Sequence, residues 1–423
     1  MKKLFLLGLV GLVGLSGASV AAIGTIDAVP AATLLLPYFE VDTNAADGVN
    51  TLFSINNASD SAILAHVTVW SDQSVPVLDF DVYLTGYDVQ SISMRDILVN
   101  GNLPVTASDF TDPKDTISPQ GPVSQDISFG SCTSLPYTNP KVSAGFRAHL
   151  NAWLQGNASP TTGNCAGSKT KDGVLRGYVT VDTVNACNLF FPSDWAFYGL
   201  FVTDQNVLWG DYFIVNPAQN FADGDTLVHI EANPLLVGST VAPGAFVPGD
   251  HTFYGRYNGA TATDRREPLA TTWASRYLNG GAFTGGTDLI VWREANAAAS
   301  GYSCTLQGPS SWYPLESTQI VIFDEEEQPV TSEDCPSGDP TCEQTIVIPN
   351  ETQRVDVATD LLAPFDFGWI FLNLQHPDTA YADPFAQSWV SPVMDAEGRF
   401  SVGFSGIQLD NANTPNTVVI PVQ

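Results

Sequence analysis

Short runs of β-branched and aromatic residues recur along the chain between clusters of Gly, Pro, Asn and Asp. Some runs alternate apolar and polar positions and others are apolar throughout, the patterns of half-buried and fully buried strands. The runs are TLFSIN (51–56), AHVTVW (65–70), FDVYL (80–84), GYVTVD (177–182), YFIVN (212–216), TLVHIE (226–231), DLIVW (288–292), QIVIF (319–323), TIVIP (345–349), WIFLNL (369–374) and FSVGF (400–404). The chain is therefore predicted to be all-β.

In one segment the apolar residues recur with the period of a helix and not with that of a strand. In AGFRAHLNAWL (144–154), Phe146, Leu150 and Trp153 recur at helical spacing, and Gly156 follows the segment. Glycine commonly ends helices because it tolerates a left-handed backbone. A short helix packed on the sheets is predicted here.

The order of patterns after Pro30 recurs after Pro268, which indicates an internal duplication. In both places two strands are followed by a strand with an acidic turn and a proline, an alternating segment, a further strand and a final hairpin. The paired segments that open the two copies are AATLLLPYFEVDTNAADGVNTLFSINNAS and LATTWASRYLNGGAFTGGTDLIVWREANA, followed by AHVTVWSDQSVP and QIVIFDEEEQPV. We predict two tandem β-sandwich domains of immunoglobulin-like topology.

The predicted domains cover residues 30–240 and 266–423, joined by a linker at 241–265. The first domain would carry a large insertion at about 100–172, which contains the short helix. Residues 1–22 have the order of a secretory signal peptide, with Lys2 and Lys3 before an apolar stretch and an alanine-rich exit. The mature protein is therefore expected to be secreted, at the periplasm, cell surface or extracellular space.

The chain has 45 acidic and 16 basic residues and a net charge of −29. A nucleic acid partner is excluded, because phosphate neutralisation needs a basic face. No later stretch is apolar for long enough to suggest a membrane span. The acidity instead favours solubility, a divalent cation or a basic partner.

Six cysteines in an exported chain predict disulfides. Cys335 and Cys342 enclose a short turn-rich loop and are expected to pair. The other four cysteines allow three pairings, among which we favour Cys132–Cys165 with Cys187–Cys304.

The sequence contains no complete catalytic motif. Gly403-Phe404-Ser405-Gly406 lacks the spacing of a nucleophile elbow, and zinc-protease and phosphate-loop signatures are missing. Asp79 and Asp81 in LDFDVYL would share one face of a strand at a solvated edge. Close carboxylate pairs are expected by chance in so acidic a chain, so this pair is weak evidence for a glycosidase.

Acidic turns could bind calcium, which takes clustered oxygen ligands. Asp223 and Asp225, with Glu231 downstream, form the preferred candidate, against solvated turns as the alternative. Trp195 and Trp312 lie in loop-like contexts and are candidate ligand-binding platforms. No other cofactor is predicted.

The favoured function is an exported, non-enzymatic β-sandwich protein that serves as a cell-surface, matrix or adhesive component. Its partners would be surface or matrix polysaccharide or protein, or further copies of itself. The alternatives are a carbohydrate- or calcium-binding module and a secreted hydrolase such as a glycosidase.

Overall fold

The structure is a computed structural model. It describes residues 29–104, 141–169, 172–232, 266–267, 269–281, 283, 285–294, 301–305, 319–331, 348, 350–361, 363–374, 387–395, 401–403 and 407–411. The predicted signal peptide and linker, Cys132, Trp312, and the Cys335–Cys342 pair lie outside these residues, as does the predicted strand at 345–349 apart from Ile348.

The part of the chain that the structure describes is predominantly β, with 49% of its residues in strands. This confirms the predicted secondary-structure class. The strands of the first half are β1 (Thr33–Asp42), β2 (Asn50–Asn57), β3 (Ile63–Ser71), β4 (Pro76–Leu84), β5 (Val89–Ser93), β6 (Val174–Val184), β7 (Leu208–Trp209), β8 (Asp211–Asn216), β9 (Phe221–Thr226) and β10 (Val228–Ile230). The strands of the second half are β11 (Ala270–Leu278), β12 (Gly286–Arg293), β13 (Ile320–Phe323), β14 (Pro329–Thr331), β15 (Thr352–Asp356), β16 (Phe367–Asn373), β17 (Ser388–Asp395), β18 (Ser401–Gly403) and β19 (Ile407–Asn411).

Helices are few among the described residues. α1 (Ala144–Leu154) has the predicted bounds: the Ser143 side chain accepts a hydrogen bond from the Phe146 amide at its start, and Gly156 adopts a φ of 64° after its end. α2 (Trp195–Leu200) is a second short helix, and Asp96–Asn100 forms a π-helical turn. None of the helices in the described residues is both long and apolar enough to cross a membrane.

The first half contains two antiparallel sheets. One has the strand order β10-β1-β6-β3-β4, and the other has the order β5-β2-β8-β9, with β7 beside β2. Inward side chains from both sheets, including Leu34, Phe53, Val181 and Ile214, belong to one buried apolar cluster. The hydrophobic effect on these side chains holds the two sheets together.

The second half repeats this strand order. Its strands form two parts, β19-β11-β16-β13-β14 and β15-β12-β17-β18, which are joined through a single pair, Ala270 with Ser388. If β11 to β16 are matched to β1 to β6, and β17, β18 and β19 to β8, β9 and β10, every strand pair of the first half except β7–β2 has its counterpart in the second. The two halves therefore share one topology.

Local details repeat as well. Ser74 and Glu327 occupy the same position in the β3–β4 and β13–β14 turns, and both are non-glycine residues with positive φ, 60° and 62°. At the start of β6 and β16, a Cβ on Gly177 or Gly368 would overlap the carbonyl oxygen of Trp70 or Phe323 respectively. The same backbone approach thus excludes a side chain in both halves.

A stacked ring pair is also common to the two halves. Trp70 stacks on Tyr178 with ring centroids 5.5 Å apart, and Phe323 stacks on Trp369 at 3.8 Å, each with an interplanar angle of 2°. In both halves the pair lies on the outward side of the five-stranded sheet.

The halves meet through specific faces. Ile290, Trp292 and Val393, which project outward from the four-stranded part of the second half, belong to the apolar cluster of the first half. The Trp292 ring lies edge-on to Tyr178 at 5.8 Å, and the Thr352 hydroxyl donates to the Pro37 carbonyl. The outer face of β15-β12-β17 therefore covers the outer face of β1 and β6.

A disulfide links the two halves. Cys165 bonds to Cys304, and the backbones of Cys165 and Tyr302 exchange two hydrogen bonds beside it. The predicted pairings Cys132–Cys165 and Cys187–Cys304 are therefore wrong, although Cys187 is itself disulfide-bonded. The reason is that residues 165 and 304 become neighbours only when the two halves dock, which spacing along the chain does not reveal.

Candidate functional site

A row of polar side chains crosses the outer face of the first five-stranded sheet. Thr33, Asp182, His66 and Asp81 stand opposite one another on β1, β6, β3 and β4. All four side chains are buried. We call these four residues the polar row.

The members of the polar row are joined by hydrogen bonds. Thr33 donates to Asp182, and the His66 Nδ1 lies 2.8 Å from the Asp81 Oδ1. The other Asp81 oxygen accepts from the Asn188 amide at 3.0 Å. These contacts compensate part of the cost of removing the charges from water.

Arg266, from the second half, closes the Thr33 end of the row. Its guanidinium donates to the Thr33 hydroxyl and to the Thr203 carbonyl, and its Nε lies 3.7 Å from the Asp182 Oδ1. The arginine is completely buried. A charge in such a position is tolerated because carboxylate and carbonyl oxygens surround it.

At the other end, His66 is flanked by two carboxylates. Its Nε2 lies 3.8 Å from the Asp79 Oδ2, and the Phe197 ring of α2 covers it at 5.0 Å. Burial opposes protonation of His66, but Asp81, Asp79 and Asp182 together raise its pKa. Burial raises the pKa of Asp79 to about 6.

Asp79 and Asp81 do share one face of β4, as predicted, and β4 is an edge strand. The solvated environment expected for them is wrong, because Asp81 is fully buried and Asp79 nearly so. A substrate cannot approach groups that are covered in this way. The His66–Asp81 contact therefore joins β3 and β4 beneath this cover, where a substrate has no access to it.

The predicted calcium ligands lie in another part of the structure. Asp223 and Asp225 project from β9 on the side of Ile214 and Tyr212, and Asp225 accepts a hydrogen bond from Ser391 at 3.2 Å. Glu231 follows β10, where its carbonyl accepts from the Glu267 amide.

Burial raises the pKa of Asp223 to about 6. Among the described residues, no group of three or more His, Cys, Asp or Glu side chains is arranged to hold a metal ion. Calcium binding at this turn stays a prediction. Of the predicted ligand platforms, Trp195 begins α2 instead of lying in a loop.

The outer face of β5-β2-β8-β9 carries few charged side chains. Its rows, which run across the four strands, are Ser93, Leu52, Phe213 and Gly224, then Ser91, Ser54, Asp211 and Thr226, with Val89 and Asn56 beyond. Asp211 is the single charged group among these outward side chains, all of which lie in described strands. We call this surface the low-charge face.

Large apolar side chains are exposed on the low-charge face. Leu52 and Phe213 stand side by side and are 36% and 47% exposed, and Val89 at the edge is 59% exposed. Depletion of charge around exposed apolar and aromatic groups is typical of protein interfaces. This surface was not predicted, although the alternation in TLFSIN already indicated a strand with one free face.

The corresponding face of the second half is covered. The outward side of β15-β12-β17 carries Ile290, Trp292 and Arg354, which contact the first half through the apolar cluster and the Arg354–Glu40 bond of 3.2 Å. Its strand DLIVW is apolar almost throughout, the pattern of burial on both sides. One copy of this face is thus an interface within the chain, and the other is open.

Searches of protein-family models, of curated proteins and of solved structures found no match to this chain.

Burial raises the pKa values of several carboxylates, and these shifts predict how stability changes with pH. Asp72, Asp79 and Asp223 each have a pKa of about 6 in the folded protein, against 3.8 ordinarily. The folded state binds these protons more tightly than the unfolded state does, so stability should rise as the pH falls from about 6 towards 4. The raised pKa of His66 adds stability below about 6.5 that is lost as the pH rises through its folded value.

We therefore expect a higher melting temperature at pH 5 than at pH 8, measured at constant ionic strength. Asp72→Asn is the matched variant, because the amide oxygen can still accept from the Ser168 amide. Since one pKa unit corresponds to about 1.4 kcal/mol, the charged Asp72 costs on the order of 2 to 3 kcal/mol at neutral pH. The variant should flatten the pH profile, and a melting temperature that rises with pH would refute this account.

Proposed function

We propose that this protein is an exported, non-enzymatic component of a cell surface or extracellular matrix, and that it is held there through the low-charge face. The observation that carries the proposal is the contrast between the two equivalent faces. In the second half this face buries Trp292 against the first half, whereas in the first half it leaves Leu52 and Phe213 in solvent. A partner bound to the low-charge face would bury the surface that is equivalent to the one already buried between the two halves.

The architecture fits this role. We propose that each half is a β-sandwich and that the halves arose by duplication, with β1 and β6 paired in one sheet and β2, β8 and β9 in the other. This is the relation of strands B and E to strands C, F and G in immunoglobulin-like domains. Sandwiches of this kind serve as rigid supports for binding surfaces.

Export is supported by two features. The Lys2-Lys3 start with its apolar stretch has the order of a signal peptide, and the structure contains the Cys165–Cys304 disulfide. The high net charge of −29 favours solubility in the extracellular space. The complete burial of His66 and Asp81 argues against hydrolysis as the activity. This His–Asp pair resembles a catalytic pair, but it is covered.

Surface retention tests the proposal. The face variant Leu52→Ser/Phe213→Ser removes both exposed apolar groups, and the control Leu189→Ser/Leu200→Ser removes two exposed leucines elsewhere. The fraction of protein that stays on intact cells, compared with the fraction in the medium, should fall severalfold for the face variant alone. Equal retention of both variants, or hydrolysis of a polysaccharide or ester above a denatured control, would overturn the proposal.

A further inference from the structure

The Phe213 ring lies along the low-charge face instead of standing upright from it. Its neighbour on β9 is Gly224, and a Cβ on that glycine would lie 2.5 Å from the Phe213 Cδ1 and 3.0 Å from its Cε1. The ring therefore extends over the glycine backbone. Because the Phe213 side chain is still 47% exposed, one face of the ring is open to solvent.

Hydrogen-bonding groups run beside this ring. Ser91, Ser54, Asp211 and Thr226 form the next row across the sheet, two positions along the strands and thus about 7 Å away. The Ser54 hydroxyl donates to the Asp211 Oδ1 at 2.5 Å, and the Asn56 amide donates to the Ser54 Oγ at 3.2 Å. The sheet thus presents an apolar platform with an ordered line of neutral donors and acceptors and one carboxylate next to it.

The charges of the face favour an uncharged ligand. None of the outward side chains of the described strands β5, β2, β8 and β9 is a cation, so the face cannot neutralise a phosphate, sulfate or carboxylate. Arg95, which follows β5, donates to the carbonyl oxygens of Gly48 and Val49. In addition, a chain with a net charge of −29 repels anionic polymers.

The covered copy of this face shows which side chains serve contact with protein in this fold. β12 is the counterpart of β2, and on the same side it presents Ile290 and Trp292, which join the apolar cluster of the first half. On β2 the outward side chains are Leu52, Ser54 and Asn56. Hydroxyl and amide groups beside a single ring suit a ligand rich in hydroxyl groups better than an apolar protein surface, because such a surface would leave them without partners.

We propose that the low-charge face binds a neutral polysaccharide. The inference rests on the proposed function, because it names the partner that holds the protein at the cell surface or matrix. The C–H groups on one side of a sugar ring pack on the negative face of the Phe213 ring, and the hydroxyl groups of the same sugar exchange hydrogen bonds with Ser54 and Asp211. Four strands about 4.8 Å apart give a face about 14 Å across, which is long enough for more than one sugar residue.

Chemical treatment of the cells tests the class of partner. Purified protein is added to intact cells that have been treated with sodium periodate, which cleaves the vicinal diols of sugars, or with a protease, or left untreated. The bound fraction should fall severalfold after periodate and stay unchanged after protease. Binding should also persist in about 1 M sodium chloride, where the Debye length is about 3 Å, because charge does not hold a neutral partner.

Substitutions of Phe213 test the stacking on untreated cells. Phe213→Trp keeps an aromatic ring and should bind at least as well as the wild type, whereas Phe213→Leu keeps an apolar side chain without a ring and should bind severalfold more weakly. Leu200→Ser, which removes an exposed leucine from α2, is the matched control and should bind as the wild type does. Thermal melting checks that each variant folds, and Asp211→Ala, which should also weaken binding, replaces a Phe213 variant that does not.

Several results would overturn the inference. They are binding that protease removes, binding that periodate leaves unchanged, loss of binding at high salt, and equal binding of Phe213→Leu and Phe213→Trp. If one of these occurs while Leu52→Ser/Phe213→Ser still loses surface retention, the proposed function stands with a different partner. If that double variant is retained as well as the wild type, the proposed function and the inference both fail.

Discussion

Replacement of Trp292 by alanine should destabilise the protein by about 3–5 kcal/mol, the usual cost of removing a buried large aromatic side chain. Trp292 is fully buried, belongs to the apolar cluster of the first half and contacts Tyr178 edge-on. The variant would leave a cavity where the two halves meet. Chemical denaturation, followed by tryptophan fluorescence and by circular dichroism, measures the loss.

Trp292→Phe is the matched control, because it keeps an aromatic ring for Tyr178 and should lose much less. If the two halves unfold together in the wild type, Trp292→Ala should also weaken that coupling, so that the two signals no longer coincide. A Trp292→Ala variant as stable as the control would mean that the contact between the halves contributes little. The assignment of this face as an interface would then fail.

Alanine at Gly177 or at Gly368 should cost about 3 kcal/mol or more. Each new Cβ would overlap a backbone carbonyl oxygen, that of Trp70 or that of Phe323, and a central strand cannot move aside without loss of its hydrogen bonds. Because the two sites are equivalent in the repeated topology, the two losses should be similar. Equilibrium denaturation of the single variants measures both.

Gly145→Ala provides the control for the glycine pair. Gly145 lies in α1, where a new Cβ meets nothing within 4 Å, and alanine favours a helix over glycine by about 1 kcal/mol. This variant should be neutral or slightly more stable than the wild type. Loss at one glycine but not at the other would contradict the structural equivalence of the halves.

Local patterns predicted the local structure well. The apolar runs that lie within the described residues became strands. The bounds of α1 followed from Phe146, Leu150 and the terminal Gly156, because hydrophobic periodicity and helix ends depend on near neighbours. The repeated order of patterns also corresponds to the repeated strand order, although whole-domain boundaries and the immunoglobulin-like description remain proposals.

Contacts that depend on docking could not be predicted. Cys165 and Cys304 are 139 residues apart and meet only across the two halves, so their pairing could not be inferred from spacing. Asp79 and Asp81 were expected in solvent, because nothing in β4 itself shows that α2 and neighbouring segments cover its outer face. His66 could have been connected with Asp81 by extending the β3–β4 hairpin back from its turn, which puts the two residues opposite each other.

The difference between the two equivalent faces was also present in the sequence. TLFSIN alternates and gives a strand with one open face, whereas DLIVW is apolar almost throughout and gives a strand buried on both sides. A pair of equivalent strands with different patterns indicates that one copy has a partner within the chain. Here this difference marks the low-charge face.

The central claim is that the low-charge face is occupied where the protein works. Hydroxyl-radical footprinting of the native protein on intact cells, compared with the purified protein at low concentration, tests this claim without any substitution. We predict that Leu52, Val89 and Phe213 become protected on cells, while Leu200, which is 60% exposed and lies on α2, reacts equally in both samples. Equal reactivity of Phe213 in the two samples would contradict the account.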